Sequence, residues 1–222
     1  MSSSRLPGKA LKTICGRPSI SLLIERLKHS QHPLCCLTSN DPSDDILEDL
    51  FMEQGISYFR GSLTNVLERF HQAFLKFHPQ EWIIRLTADN LFMDYDLINA
   101  LVSHFESSSA DYTALLSSSE TKLPYGISAE IFRSSALELA YKKSHAPEDI
   151  ENVTPWIRKH LKASIWAPEI FSSQPDMSDL RCTLDTPEDY VRLTKIFENV
   201  SNPIQVSWFD LCQALFRLET SR

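Results

Sequence analysis

The sequence predicts an α/β fold: a mainly parallel mixed sheet with helices on both faces. Three observations predict it. Short β-prone runs alternate with longer stretches whose apolar residues recur at helical spacing, the pattern of a parallel sheet with crossover helices. The composition, 42% hydrophobic and 23% charged, is that of a globular chain. At 222 residues the chain is long enough to bury a core without disulfide staples.

The helix over 65–77 is the clearest element, because Val66, Phe70, Ala73, Phe74 and Phe77 fall on one face. The same periodicity predicts helices over 19–28, 44–54, 95–107, 134–143, 149–160, 186–199 and 207–219. Between them lie short β-prone runs at 34–38, 57–60, 82–86, 111–115, 128–132 and 163–165. Residues 117–127 read as an excursion between strands, with Pro124 and Gly126 as turn formers. No linker separates two units, so residues 1–222 are expected to form one domain, with 117–160 as its excursion and 200–222 supplying a C-terminal helix.

The formal net charge of −7, with Lys and Arg scattered, argues against a nucleic-acid partner. No run approaches the roughly 18 apolar residues that a membrane helix needs, and no signal-peptide core opens the chain, so a cytoplasmic protein is expected. Five cysteines without CxxC spacing fit reduced structural thiols. Lone histidines such as His71 and His145 lack metal-ligand spacing, and no GxSxG elbow suggests a serine nucleophile.

Positive charge for an anionic ligand must therefore come from a few residues placed together. Ser2-Ser3-Ser4-Arg5-Leu6-Pro7-Gly8-Lys9 offers free backbone N–H groups, a forked guanidinium and an ammonium, suited to phosphate. On composition alone, a terminal tail before a Pro-Gly turn is the favoured reading of this stretch. Asp89, in Arg85-Leu86-Thr87-Ala88-Asp89-Asn90, lies just past a strand, where the crevice of an α/β sheet opens and a carboxylate can hold Mg²⁺. It could also cap a turn. Thr186, Pro187 and Asp189 form a capping-box variant, which leaves Asp185 immediately before the cap unexplained. Asp185 could meet Asp89 across the crevice.

In order, SSSRLPGK at the start, TSNDPSDD at 38–45, FRGSLTNVLERF at 59–70, RLTADN at 85–90, LPYGISAEIF at 123–132, ENVTPWIRKH at 151–160 and LRCTLDTPED at 180–189 resemble the cytidylyltransferase family. That family includes the acylneuraminate and 3-deoxy-manno-octulosonate cytidylyltransferases and the spore coat polysaccharide biosynthesis protein F group. The resemblance implies a nucleotide-diphosphosugar transferase-like fold and transfer of CMP from CTP to an acidic sugar, with loss of pyrophosphate. It implies that Ser3, Arg5 and Lys9 grip the triphosphate, and that Ser39, Asn40, Arg60 and Ser62 lie near the nucleotide. It implies Mg²⁺ on Asp89 and Asp185, Arg85 in the floor of the site, and Tyr125, Gly126 and Glu130 toward the sugar. A homodimer through 117–160 is compatible with it.

The family also carries a hydrophobic strand ahead of the Ser-rich loop, so the expected sheet lacks its first strand and has unpaired edges. Two substitutions depart from the family pattern: Ala88 for Gly, restrictive if that position needs positive φ, and Asn152 for His. Two rival functions follow: a nucleotide-binding relative without catalysis, and a glycosyltransferase using Asp94-Tyr95-Asp96 as a DxD metal motif. The second conflicts with the reading of Asp96 as the first turn of a helix.

Overall fold

A computed structural model describes residues 5–78 and 81–220. A short hairpin comes first, β1 (Thr13–Ile14) and β2 (Arg17–Pro18), turning at Cys15 and Gly16, both at positive φ. The helix α1 (Ser19–Leu27) leads to β3 (Cys35–Ser39), α2 (Asp45–Glu53), β4 (Ser57–Gly61) and α3 (Val66–Phe77). Next come β5 (Trp82–Arg85), α4 (Tyr95–Ser107), β6 (Tyr112–Leu115), β7 (Ala129–Arg133) and α5 (Ser134–Lys143). The chain continues through α6 (Pro147–Asn152), α7 (Pro155–His160), β8 (Ala163–Trp166), α8 (Pro187–Glu198) and α9 (Trp208–Thr220).

The expected sheet needs two corrections. It is in two pieces, a parallel pair β3–β4 and a four-stranded sheet in the order β5-β7-β6-β8. It is also less parallel than expected, because β7 runs antiparallel to both β5 and β6 while β6 and β8 are parallel. The reason is the connection. The link from β6 to β7 contains no crossover helix, so β7 enters between its neighbours from the opposite end. Apolar periodicity encodes which residues face the core, but not strand direction.

Among the described residues β3 pairs only with β4 and β5 only with β7, so each keeps one unpaired edge. The ring of His32, just before β3, packs edge-on against Trp82 of β5 at 4.9 Å. A cavity of about 310 Å³ opens at the amino ends of β3 and β4, lined by Ile24, Leu27, His32, Leu34 and Ile56 among others.

The expected helix over 149–160 is two helices. Val153 takes φ 71° between α6 and α7, and Pro155 starts the second. Pro155 has no N–H to donate within a continuous helix but is suited to a first helical position, so one helix ends before it and a new one starts at it. The helix α1 serves two cores. Its Leu22, Leu23 and Leu27 join the main cluster with Leu101, Phe105, Phe197 and Leu211, while Ile20 and Ile24 pack with Leu47 and Phe51 of α2. Among the described residues no helix is long and apolar enough to cross a membrane.

The same helix buries Arg26 completely. Its guanidinium donates to the carbonyls of Phe92 and Met93 at 3.0 and 3.2 Å, and to those of Pro203, Ile204 and Val206 at 2.8 to 3.3 Å. Asp94 lies 3.8 Å away, its other bonds being the N-cap of α4 at Leu97 and the amide of Trp208. Burial lowers the Arg26 pKa to about 10, against the pull of Asp94, so it stays charged at neutral pH. One cation thus binds α1, the loop after β5 and the approach to α9.

All five cysteines are free. Burial pushes the Cys35 thiol up to about 11 and Cys36 up to about 12, and raises Cys15, Cys182 and Cys212 as well.

Two predictions follow from these contacts. Arg26→Met strands several buried carbonyls and the Asp94 carboxylate, and should cost about 3–5 kcal/mol in urea unfolding; a loss below about 1 kcal/mol would contradict this account. Because a raised thiol pKa keeps the neutral, unreactive form, about one Cys35 in a thousand is thiolate at pH 8. Ellman's reagent should therefore label the folded protein slowly at pH 8 and the urea-unfolded protein at once; equal rates would show that the thiols are not sheltered.

Candidate active site at the carboxyl ends of the strands

Three chain segments far apart in sequence meet at one ammonium. Gly8, at φ 65° in the left-handed region, turns the chain into a short 3₁₀ helix over Lys9–Leu11. The hydroxyl of Ser19 at the start of α1 donates to the Lys9 carbonyl at 2.7 Å and fixes that turn. Lys9 Nζ then lies 2.5 Å from Asp89 Oδ2 and 2.8 Å from Asp185 Oδ1.

Asp89 follows β5, and Asp185 precedes α8. Their backbones are joined directly, since the Leu184 amide donates to the Asp89 carbonyl at 2.9 Å. Asp185 is held by the start of α8. Thr186 and Asp189 form a complete capping box, and Asp189 Oδ2 also accepts from the Asp185 amide. Asp185 Oδ2 faces Arg5 at 3.3 Å and Arg181 at 3.7 Å. The Asp185 side chain is 9% exposed and that of Asp89 18%, so the two carboxylates could not approach without compensating charge. Burial alone would lower the Lys9 pKa. The two carboxylates outweigh it, and the net shift is upward.

A carboxylate pair converging on one point is a donor set that could hold a hard divalent cation such as Mg²⁺. Such an ion takes one or two protein carboxylates and completes its shell with water and phosphate oxygens. The Lys9 ammonium lies at that point. Ala88 does not adopt positive φ, so the alanine fits this loop without strain.

Tyr125 and Gly126 reach the same place by another route. Tyr125 forms a parallel bridge with Arg181, its amide donating to the Leu180 carbonyl and its carbonyl accepting from the Cys182 amide. Gly126, at φ 113°, lies so close that a Cβ would sit 2.5 Å from the Thr183 nitrogen, so only glycine allows this contact. The Arg181 guanidinium stacks over the Tyr125 ring at 4.9 Å. Arg181 was not distinguished by sequence reasoning, although it stands four residues before Asp185 within the 180–189 motif.

The remaining expected site residues form two other groups. Glu130, on β7, accepts from Arg85 at 2.5 Å, Tyr112 at 2.7 Å and Thr154 at 2.6 Å. Arg85 and Glu130 are therefore partners across the β5–β7 ladder. At the carboxyl ends of β3 and β4, Ser39 and Thr38 donate to Asp44, and Arg60 binds Asp45, Glu48 and the carbonyls of Ser39 and Asp41. The Asn40 amide donates to the Gly61 carbonyl, and the Ser62 hydroxyl accepts from Asn65 at the start of α3. Ser3 lies outside the described residues. Asp94 caps α4 and Asp96 sits in its first turn, so Asp94-Tyr95-Asp96 is occupied in starting a helix.

The model of one protein family, cytidylyltransferase, matches residues 1–215. The chain is 34% identical to the spore coat polysaccharide biosynthesis protein SpsF of Bacillus subtilis, over 98% of this chain and 91% of that protein. Among solved structures, a cytidylyltransferase from Leptospira borgpetersenii superposes with a TM-score of 0.88 at 25% identity, over 99% of this chain and 92% of that one. A CMP:2-keto-3-deoxy-manno-octonic acid synthetase complexed with CTP shares the fold, with a TM-score of 0.64 at 14% identity, over 89% of this chain and 94% of that one. With the family model and a relative of this identity spanning nearly the whole sequence, the chain belongs to the cytidylyltransferase family and is a nucleotidyltransferase.

Proposed function

We propose that the chain transfers CMP from CTP to the anomeric hydroxyl of an acidic sugar, releasing pyrophosphate, for a surface polysaccharide or glycan precursor. The observation that carries this reading is the convergence of Lys9 on Asp89 and Asp185 at the carboxyl ends of the strands. Supporting it, one relative is named for spore coat polysaccharide biosynthesis, and one solved structure of the same fold is a 2-keto sugar acid synthetase bound to CTP.

In this reading the anomeric oxygen bonds to the α-phosphorus as the bond to the β-phosphate oxygen breaks, and pyrophosphate departs. Such a transfer needs neutralised charge and in-line alignment more than a protein nucleophile. Arg5 and Lys9 neutralise the triphosphate, Lys9 moving from the carboxylates onto phosphate oxygens as CTP enters. Asp89 and Asp185 are then free to hold Mg²⁺. Bound there, the ion would supply charge for the transferred phosphoryl group and its leaving oxygen. The anchored 184–189 segment and the Arg26-held loop after Asp89 keep the two carboxylates in place while their counter-charge changes. Ser39, Asn40, Arg60 and Ser62, at the ends of β3 and β4, fall to the nucleoside.

Pyrophosphate release from CTP with 2-keto sugar acids tests this. Asp89→Asn and Lys9→Met should each lower turnover by about 10²–10³-fold; Asp89→Asn should change the melting temperature little, whereas Lys9→Met leaves two poorly solvated carboxylates facing each other and should lower it. EDTA should abolish turnover and excess Mg²⁺ restore it. Full activity in Asp89→Asn would remove the metal assignment. Folded wild-type protein that binds CTP but releases no pyrophosphate with any sugar would make the chain a non-catalytic relative.

A further inference from the structure

We infer that Glu130 is a positioning residue for Asp89: it grips Arg85 at the last rung of the β5–β7 ladder and so fixes the point from which the Asp89 loop departs; this rests on the function proposed above. The two strands pair from Trp82 with Arg133 to Arg85 with Glu130, and beyond Arg85 the chain leaves the sheet toward Asp89. Among the described residues β7 is the one strand beside β5, so the carboxyl end of β5 has lateral support on one edge only. Strand ends with few partners open locally at little cost. The Arg85–Glu130 pair closes this end at 2.5 Å, four residues before the carboxylate that the proposed reaction gives to the metal.

Glu130 is itself held so that one oxygen serves Arg85. Its Oε1 accepts from the hydroxyls of Tyr112 and Thr154 at 2.7 and 2.6 Å, while Oε2 faces the Arg85 guanidinium. The hydroxyls come from β6 and from the junction of α6 and α7, and both residues are buried. Three elements thus set the direction of one carboxylate.

The junction carries strain that serves this grip. Val153 takes φ 71° and ψ −51°, and the Thr154 amide donates to the Asn152 carbonyl at 2.8 Å. That is the rare, strained form of three-residue turn, on a β-branched residue for which positive φ is an outlier. Such strain persists only where the surroundings over-determine it. Two contacts do so here: the Val153 side chain, buried in the cluster of Tyr112, Phe132 and Ile157, and the Thr154 hydroxyl on Glu130. Residues that orient a metal-binding carboxylate from outside typically change metal affinity about 10–100-fold when altered.

Glu130→Gln separates this role from a merely structural one. The Gln carbonyl oxygen can still accept from Tyr112 and Thr154, but its amide meets Arg85 as a donor and releases it. Hydrogen exchange followed by NMR reads the loop without catalysis, because the Asn90 amide donates to the Thr87 carbonyl and the Leu184 amide to the Asp89 carbonyl. Both amides should exchange at least about tenfold faster in Glu130→Gln, with amides inside α4 and α9 changed by less than about threefold. The Mg²⁺ concentration that half-saturates the tightening of CTP binding should rise about tenfold. Arg85→Met should act on the same two amides, and the double variant should do no more than Arg85→Met, as expected of groups on one path. Thr154→Val should act in the same direction by less; no change there would overturn the part given to the turn. An unchanged Mg²⁺ requirement in Glu130→Gln would overturn the inference and leave the proposed function standing. Equal acceleration of every amide would also overturn it, making Glu130 a support of the fold alone. Wild-type CTP binding that ignores Mg²⁺ would overturn both the inference and the metal assignment.

Discussion

The ammonium of Lys9 lies between the carboxylates of Asp89 and Asp185, and most of the architecture can be traced to keeping those three groups within reach. The two carboxylates belong to segments 96 residues apart, and each is largely withdrawn from water, so their mutual repulsion is poorly screened. Three devices hold them together: the Leu184–Asp89 backbone bond, the capping box that pins Asp185 to α8, and the Lys9 turn set by Gly8 and Ser19. Arg26 extends the tie, since it binds the carbonyls of Phe92 and Met93 in the loop that follows Asp89. A buried arginine on an otherwise apolar helix face is thus part of the support of the site, not an accident of the core.

The cluster also explains how a chain with net charge −7 can handle a triphosphate. Charge at the site differs from the average because four cations, Arg5, Lys9, Arg181 and Arg192, balance four carboxylates, Asp89, Asp185, Asp189 and Glu219. Electrostatic attraction is decided over roughly one Debye length, about 8 Å at physiological salt, and not by the whole chain. In the proposed reaction the carboxylates there serve two states: one neutralised by the protein's own cations, the other by an ion and a nucleotide.

Much of the fold was legible in the sequence, and the failures have physical causes. The helices α4 and α5 begin and end where the periodicity puts them, and the others, apart from the one expected over 149–160, differ by a residue at either end, as Thr186-Pro187 at α8 illustrates. The direction of β7 was not legible, because alternation looks the same whichever way a strand runs. The α6–α7 break carried a signal in Thr154-Pro155, but the left-handed backbone of Val153 did not. At the site, Asp185 stood out because the capping box left it without a local role. Arg181 gave no such signal, since what distinguishes it is the ring beneath it, a tertiary contact. Nor did the sequence show that the Glu130 oxygens face Arg85, Tyr112 and Thr154, since these partners come from other elements and meet it only in the folded chain.

The central claim is that Asp89 and Asp185 exchange the Lys9 ammonium for a divalent ion when the nucleotide binds. Calorimetric titration of CTP into the protein, with and without Mg²⁺, tests it most directly. The account predicts that Mg²⁺ tightens CTP binding by wild type at least about tenfold, and that Asp185→Asn loses this dependence while still binding CTP weakly. An equal Mg²⁺ dependence in wild type and Asp185→Asn would contradict it, and would place the ion elsewhere.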